Sequence, residues 1–257
     1  MIHKTVVIDK NAVIEENVEI GPYVVIGQDT IVRSGTKIQG QSFIENAEIG
    51  NNCKIFSFSS IGSCPQDLKY RGEKTKVVVG DNTIVRECVT LNRGTIASGG
   101  NTIVGKNCIL MSCAHVAHDC VVGDGVVIGY STGLAGHVKV DDHAVLSACI
   151  GVHQFCKIGK FTMIGAGSMV SMDIIPCVTV YGDRAVLAGL NVMGLRRRKI
   201  EIYEIDNIKK AYKILFMSKL ALKDAIVQLE NSASPYVKDI VTFIKNSKRG
   251  IARPRNG

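Results

Sequence analysis

From Val104 onward an aliphatic residue returns every six positions, through Leu110, Val116, Val122, Ile128, Leu134, Val140, Leu146, Val152, Ile158 and Ile164 to Val170, with no member missing across twelve hexads. A six-residue period matches neither the 3.6-residue turn of an amphipathic helix nor the two-residue alternation of a half-buried strand. It matches short strands joined by tight corners, with one aliphatic side chain pointing inward per strand. The fifth place of each hexad is small or β-branched, as in Cys108, Ala114, Cys120, Val126 and Thr132, which suits the crowded inside of a corner. Three such strands close a triangular coil of 18 residues. Successive coils then stack at the β spacing of about 4.8 Å. The same frame runs earlier from Ile8 to Ile38, slips by one residue to resume at Ile49, Ile55 and Ile61, and returns at Val79, Val85 and Leu91. The expected fold is an all-β parallel β-helix.

Two stretches break the frame, at about 63–76 (SCPQDLKYRGEKTK) and 97–103 (ASGGNTI), and must loop out of the coil. Loops projecting from a rigid scaffold commonly carry function. The period ends at Pro176, and a connecting segment follows. From Arg196 apolar residues recur at helical spacing, with Ile208, Ala211, Tyr212 and Leu215 on one face; Ser232 to Pro235 interrupts this pattern, and Tyr236 to Lys245 resumes it. The organisation read from these signals is a β-helix over 1–190 and an α-helical C-terminal domain over 191–257.

The chain has no Trp and only 5% aromatic residues, as a narrow prism filled by aliphatic side chains requires. Its nine cysteines include no CxxC pair, which argues against a disulfide framework and a structural zinc site. Cys53, Cys108, Cys120 and Cys156 all occupy the inward fifth place, as small core residues. A reducing cytoplasm is the expected compartment, since no signal-peptide pattern and no long apolar run is present. Residues 191–257 hold 15 Lys and Arg against 6 Asp and Glu, whereas the first 190 residues are nearly neutral. The basic character therefore belongs to the C-terminal segment, where it could steer an acidic partner or a phosphate-bearing ligand. No nucleic-acid-binding motif accompanies it.

The 18-residue winding turns spacing into geometry. His118 stands at the third place of its hexad, with Gly136 and Gln154 in the same column one and two coils later. His137 and His153 flank that column, and His115 lies three residues before His118. Four of the six histidines thus gather along one edge, beside Asp119, and none takes an inward place. Three chemistries suit such a cluster. A neutral His could act as general base for acyl transfer, with a carboxylate orienting it and a glycine N–H holding an oxyanion. Three His could hold a zinc ion with an open water site, as in a hydratase. Or the cluster could line the groove of a non-catalytic binding protein.

HVAHDC (115–120), LAGHV (134–138), AVLSACIGVHQFCKIG (144–159), GLNVMGLRRR (189–198), PQDLKYRGE (65–73) and SPYVKDIVTFIKNSKRGIARP (234–254) together make the chain resemble the UDP-N-acetylglucosamine O-acyltransferases of lipid A biosynthesis. The resemblance implies a left-handed coil, a hand that the period leaves open and that the usual crossover preference would reverse. It implies a homotrimer with active sites between subunits. The implied reaction moves an (R)-3-hydroxyacyl chain from acyl carrier protein to the 3-position of UDP-N-acetylglucosamine, without a covalent acyl-enzyme. No cofactor or metal is implied beyond the phosphopantetheine arm of acyl carrier protein. Residue by residue, His118 becomes the general base, Asp119 its orienting carboxylate and Gly136 the oxyanion donor. Gln66, Asp67, Lys69, His115, His137, His153 and Gln154 line the sugar-nucleotide and pantetheine sites. Asn191, Arg197 and Arg198 grip the nucleotide phosphates, as an arginine fork suits.

Three positions depart from the family pattern. Asn92 replaces a frequent His, Met193 replaces a Glu of some members, and Ala166 replaces a Gly at the closed end of the acyl groove. The methyl of Ala166 implies a somewhat shorter acyl chain, since packed sites respond to one carbon. A relative that acylates a 3-amino sugar, or one that uses acetyl-CoA, is the alternative within the fold.

Overall fold

The computed structural model describes residues 1–255. Short strands, most of two residues, form three sheets of nine, eight and ten strands, parallel except for the last strand, and consecutive strands fall in different sheets until the final two, which share one. Each strand pairs with the one a coil later, as His115–Val116 does with Gly133–Leu134 and that pair with Gly151–Val152. The fold is a left-handed parallel β-helix followed by a helical segment. The aliphatic first places point inward and are sealed, with Ile128, Leu134, Leu146 and Ile158 at 0% exposure. The fifth places are equally closed, and their hydroxyls tie coils together: Thr132 Oγ1 donates to the Ser147 carbonyl at 2.6 Å and accepts from the Ile150 N–H at 3.2 Å. Burial pushes the fifth-place thiols of Cys108 and Cys156 up to about 11 and that of Cys120 to about 12. These thiols are therefore held as unreactive neutral groups.

The corners turn through the fourth place of each hexad, which adopts a left-handed conformation: φ is 55° at Asn107, 61° at Asp119, 63° at His137, 60° at His143, 57° at Cys149 and 65° at Phe155. For residues other than Gly this conformation costs roughly 1–2 kcal/mol. A hydrogen bond between coils offsets it, since the fourth-place N–H donates to the third-place carbonyl of the preceding coil, as His137 does to His118 at 3.0 Å and His143 to Asp124 at 2.8 Å.

Three boundaries differ from those read in the sequence. The second excursion runs over 93–100 and not 97–103, because the strands that flank it are Thr90–Asn92, paired with Ser60–Ser63, and Asn101–Val104, paired with Lys76–Val79. The segment that follows Pro176, expected as a connection, is itself paired into the coil. Val178–Tyr181 pairs in parallel with Met163–Ile164, and Val186–Leu190 folds back antiparallel to close that sheet. The helical pattern from Arg196 is also not one element. It divides into α1 (Val192–Arg197), α2 (Ile202–Phe216) and α3 (Leu222–Leu229), before α4 (Pro235–Lys245). Lys199 takes a left-handed φ of 57° after α1, and Ser218 Oγ bonds the Ile214 carbonyl at 2.6 Å beyond the end of α2, a local competition that frays helices. Of the segment 191–257 expected to form the C-terminal domain, positions 256 and 257 lie outside the described residues. No helix among the described residues is long and apolar enough to cross a membrane.

After α4 the chain returns to the coil, where Ala252 N–H donates to the Asp173 carbonyl at 2.9 Å and Leu187 N–H to the Arg253 carbonyl at 3.1 Å. This return carries Arg249 to the edge that holds the histidines.

Candidate active site

Both excursions leave the coil at one corner, between the nine- and eight-stranded faces. One joins Ser60–Ser63 to Lys76–Val79, and the next joins Thr90–Asn92 to Asn101–Val104. The coil immediately after them turns the same corner through Ala117, His118, Asp119 and Cys120. Asp119 therefore has an excursion, not a regular corner, on the coil before it. Its left-handed N–H finds Thr102 Oγ1 at 2.8 Å in place of the usual carbonyl.

The Asp119 carboxylate is sealed, at 0% side-chain exposure. Its Oδ1 accepts from the Thr95 N–H and its Oδ2 from the Thr95 hydroxyl, both at 2.7 Å, so the second excursion supplies two donors. Oδ2 also lies 2.8 Å from His118 Nδ1. A carboxylate with this pattern accepts from Nδ1–H and leaves Nε2 of His118 with its lone pair outward. That nitrogen stands over Gly136: a Cβ built there would lie 2.7 Å from both Cε1 and Nε2 of His118. Only glycine fits beneath the ring. The N–H groups of Ala135 and His137 are bonded to neighbouring coils, whereas that of Gly136 has no acceptor among the described residues. One position thus brings together a basic nitrogen and an available amide donor.

His137, one coil on, meets the His118 ring edge to face at 5.1 Å and stacks on Phe155 at 4.4 Å. Its Nδ1 pairs with Ser98 Oγ at 3.0 Å, and its Nε2 lies 3.7 Å from Asp119 Oδ2. Desolvation holds the His137 imidazole below the ordinary histidine value, against the opposing charges of Asp119 and Asp67. His115 hydrogen-bonds Thr90 Oγ1 at 2.7 Å and is lowered too, by burial first and by His118 second. Both rings are thereby favoured as neutral imidazoles. His118, Asp119 and His137 bring ligand atoms within 4.8 Å of one another. A cation there would have to replace hydrogen bonds that the Asp119 oxygens already accept, which opposes the zinc arrangement.

The corner separates two cavities. One, of about 900 Å³, is lined by Ser98, Asp119, His137, Phe155, Lys157 and Arg249. The other, of about 690 Å³, is lined by Gln66, His115, His118, Gly136, His153 and Gln154. The structure thus brings together His118, Asp119, Gly136, His115, His137, His153, Gln154 and Gln66. Asp67 and Lys69 ride on the first excursion, where Asp67 Oδ1 accepts from the Lys69 N–H at 2.9 Å.

The remaining sequence candidates lie elsewhere. Asn191, Met193, Arg197 and Arg198 line a third cavity, of about 610 Å³, on the ten-stranded face with His143 and Phe161. Asn191 is committed to structure: its Oδ1 caps α1 through the Gly194 N–H at 3.0 Å, and its Nδ2 donates to the Phe161 carbonyl at 2.9 Å. Arg197 and Arg198 are exposed. Ala166 is exposed at the corner between the ten- and nine-stranded faces and lines neither cavity beside His118. Asn92 is buried and donates to the Cys64 carbonyl at 3.0 Å, so it braces the first excursion.

Sequence reasoning missed Thr95, Ser98, Phe155 and Arg249. Arg249 Nη2 donates to His153 Nδ1 at 2.8 Å, across 96 positions of chain. Phe155 was legible in principle, being in the same column as His137 and one coil later. Thr95 and Ser98 were not, because no periodicity constrains an excursion.

Family models match three parts of the chain: UDP N-acetylglucosamine O-acyltransferase domain 2 over 173–252, bacterial transferase hexapeptide over 101–136, and GMPPB C-terminal domain over 1–101. A protein of Aliarcobacter butzleri named acyl-[acyl-carrier-protein]–UDP-N-acetylglucosamine O-acyltransferase is 46% identical over 79% of this chain and 78% of its own. The UDP-N-acetylglucosamine acyltransferase of Bacteroides fragilis superimposes with a TM-score of 0.96, at 43% identity over 98% of this chain and 100% of that one. The enzyme of that name from Francisella novicida superimposes at 0.97, with 38% identity over 100% of this chain and 95% of that one.

Proposed function

The chain belongs to the acyl-[acyl-carrier-protein]–UDP-N-acetylglucosamine O-acyltransferase family, and from that premise we propose how its residues transfer an (R)-3-hydroxyacyl group to the 3-hydroxyl of UDP-N-acetylglucosamine, in lipid A biosynthesis. The observation that supports the mechanism is the His118 imidazole fixed by Asp119 on one nitrogen and poised over Gly136 with the other. Nε2 of His118 takes the proton of the sugar hydroxyl as its oxygen attacks the thioester carbonyl. The Gly136 N–H meets the developing oxyanion. Collapse expels the pantetheine sulfur, which recovers the proton from His118. Asp119 stabilises the imidazolium formed in between. General base action of this kind contributes about 10²–10⁴-fold. The fifth-place thiols are too deeply buried and too weakly acidic to serve as nucleophiles, in keeping with direct transfer.

The donor arrives on the phosphopantetheine arm of acyl carrier protein, so no separate cofactor is needed. The positive C-terminal segment suits that acidic partner electrostatically. Arg197 and Arg198 lie on a different face from His118, and a homotrimer reconciles the two: the nucleotide phosphates would meet Arg197 and Arg198 of the partner subunit. The enzyme would work in the cytoplasm, where both substrates are made.

Mass spectrometry of the product from UDP-N-acetylglucosamine and a mixed series of acyl carrier protein thioesters tests this reading. We expect a 3-O-linked hydroxyacyl product, with Ala166→Gly moving the preferred chain longer. Exclusive turnover of the 3-amino analogue, or of acetyl-CoA, would contradict it.

A further inference from the structure

We propose that Arg93 is a positioning residue, which clamps the first excursion so that Gln66, Asp67 and Lys69 are presented to the sugar nucleotide. The role in substrate binding rests on the function proposed above. The clamp itself rests on geometry.

The chain leaves the coil at Ser63 and rejoins it at Lys76, and the residues between form neither helix nor strand. A segment of that length without regular pairing has many accessible conformations, and ordering it requires specific contacts. Asn92 and the Lys74–Asp29 pair supply single contacts, and a single guanidinium reaches both limbs at once. Arg93 is 9% exposed and follows the strand Thr90–Asn92, one coil above the departure point. Its Nη1 donates to the Gly62 carbonyl at 2.8 Å and to Glu45 Oε1 at 3.0 Å, which fixes the group to the coil. Nη2 lies 3.1 Å from Cys64 Sγ, at the start of the excursion. Nε donates to the Tyr70 hydroxyl at 3.0 Å, on its far limb. The Tyr70 hydroxyl passes the contact on to the Glu73 carbonyl at 2.6 Å, and the Arg93 guanidinium sits 5.5 Å from the Tyr70 ring centroid.

Arg93 therefore holds Cys64, Tyr70 and, through Tyr70, Glu73, while Gln66, Asp67 and Lys69 form the span between the held points. Gln66 lines the cavity of His115, His118 and Gly136, and the Asp67 charge reaches His137. Lysine would not replace this arginine, because one ammonium cannot direct donors to the coil and both limbs in a planar fork. The Glu45 carboxylate answers the buried charge, so the clamp stands on an ion pair that is itself anchored in the coil.

Two variants test the clamp. Arg93→Lys keeps the charge but loses the fork. Tyr70→Phe keeps the guanidinium and removes only the bonds to the far limb, so it decides the matter if Arg93→Lys proves too unstable to assay. Trypsin can report the loosened excursion at Lys69, Arg71 and Lys74. With thermal midpoint matched to wild type, Tyr70→Phe is expected to be nicked there about tenfold faster, the signature of local opening. The same variant should raise KM for UDP-N-acetylglucosamine several-fold, by about 3–10, while kcat stays within about twofold, as lost uniform binding requires. An unchanged nicking rate overturns the clamp. Faster nicking with an unchanged KM overturns the assignment of the excursion to substrate, so the two failures are distinct.

Discussion

His137 and His143 hold the same place in successive hexads, yet only His137 stands at the corner of His118 and Asp119, while His143 lines the separate cavity of Arg197 and Arg198. Both adopt left-handed backbone, at φ 63° and 60°, and both face a phenylalanine one coil later, Phe155 at 4.4 Å and Phe161 at 5.5 Å. His137 meets Ser98, Asp119 and the His118 ring. His143 has a buried Nδ1 without a hydrogen-bond partner among the described residues, packed where a Cβ on Gly125 would fall. The coil makes its corners alike, and what distinguishes this one is the pair of excursions beside it. They bring Thr95 and Ser98 to one corner and to no other. The solenoid supplies the positions; the irregular segments make a position reactive.

The largest effect that sharpens the contrast is at Asp119. Asp119→Asn would turn an amide N–H toward His118 Nδ1 and favour the wrong tautomer, and kcat should fall by about 10³-fold. Circular dichroism and thermal melting of that variant should show the coil intact. A fall of less than tenfold would mean that the carboxylate is structural only.

Next comes a matched pair of glycines. Gly136→Ala places a methyl against the His118 ring, and a displacement of that kind should lower kcat by about 10²-fold. Gly125→Ala places a methyl still closer to His143, at a φ of 64°. It should cost about 1 kcal/mol of stability through backbone strain and leave kcat unchanged. Denaturant melts and steady-state kinetics on both read the two outcomes. Equal losses of kcat would erase the distinction between the corners.

A smaller effect belongs to the excursion. Thr95→Val removes the hydroxyl donor to Asp119 while keeping the N–H bond, and kcat should fall by about tenfold. Wild-type kcat in that variant would show that the excursion does not tune the carboxylate.

The smallest effect is on stability. Burial holds His115 and His137 below the ordinary histidine value of 6.5. Between those lowered values and 6.5 the unfolded chain binds more protons than the folded one, so this stability is complete above 6.5 and is lost as pH falls through that window. Replacing both with Gln should flatten the decline of the thermal midpoint between about pH 7.5 and about pH 5.5. An identical slope in the double variant would contradict it.

How much of this was legible follows from what repeats. Ile128, Leu134 and the fifth-place Thr132 announced the coil, because burial every six residues is a constraint on each hexad. The column of His118, Gly136 and Gln154 followed from the winding alone. The left-handed fourth place was not legible, since Asn107 and Asp119 suit it but Phe155, Phe161 and Cys149 do not by themselves; the coil imposes it through inter-coil hydrogen bonds. Arg93 and Thr95 were invisible because their partners lie across an aperiodic loop. The separation of Arg197 and Arg198 from His118 is likewise a fact of three dimensions, as no spacing told which faces they would occupy.

Comparing His118→Ala with His143→Ala in acyl transfer from acyl carrier protein to UDP-N-acetylglucosamine tests the account most directly. His118→Ala should retain the wild-type melt and lose about 10²–10⁴-fold in kcat, whereas His143→Ala, in the cavity of Arg197 and Arg198, should act on KM and leave kcat within about twofold of wild type. A folded His118→Ala enzyme that keeps more than a third of the wild-type rate would remove the base on which the mechanism depends.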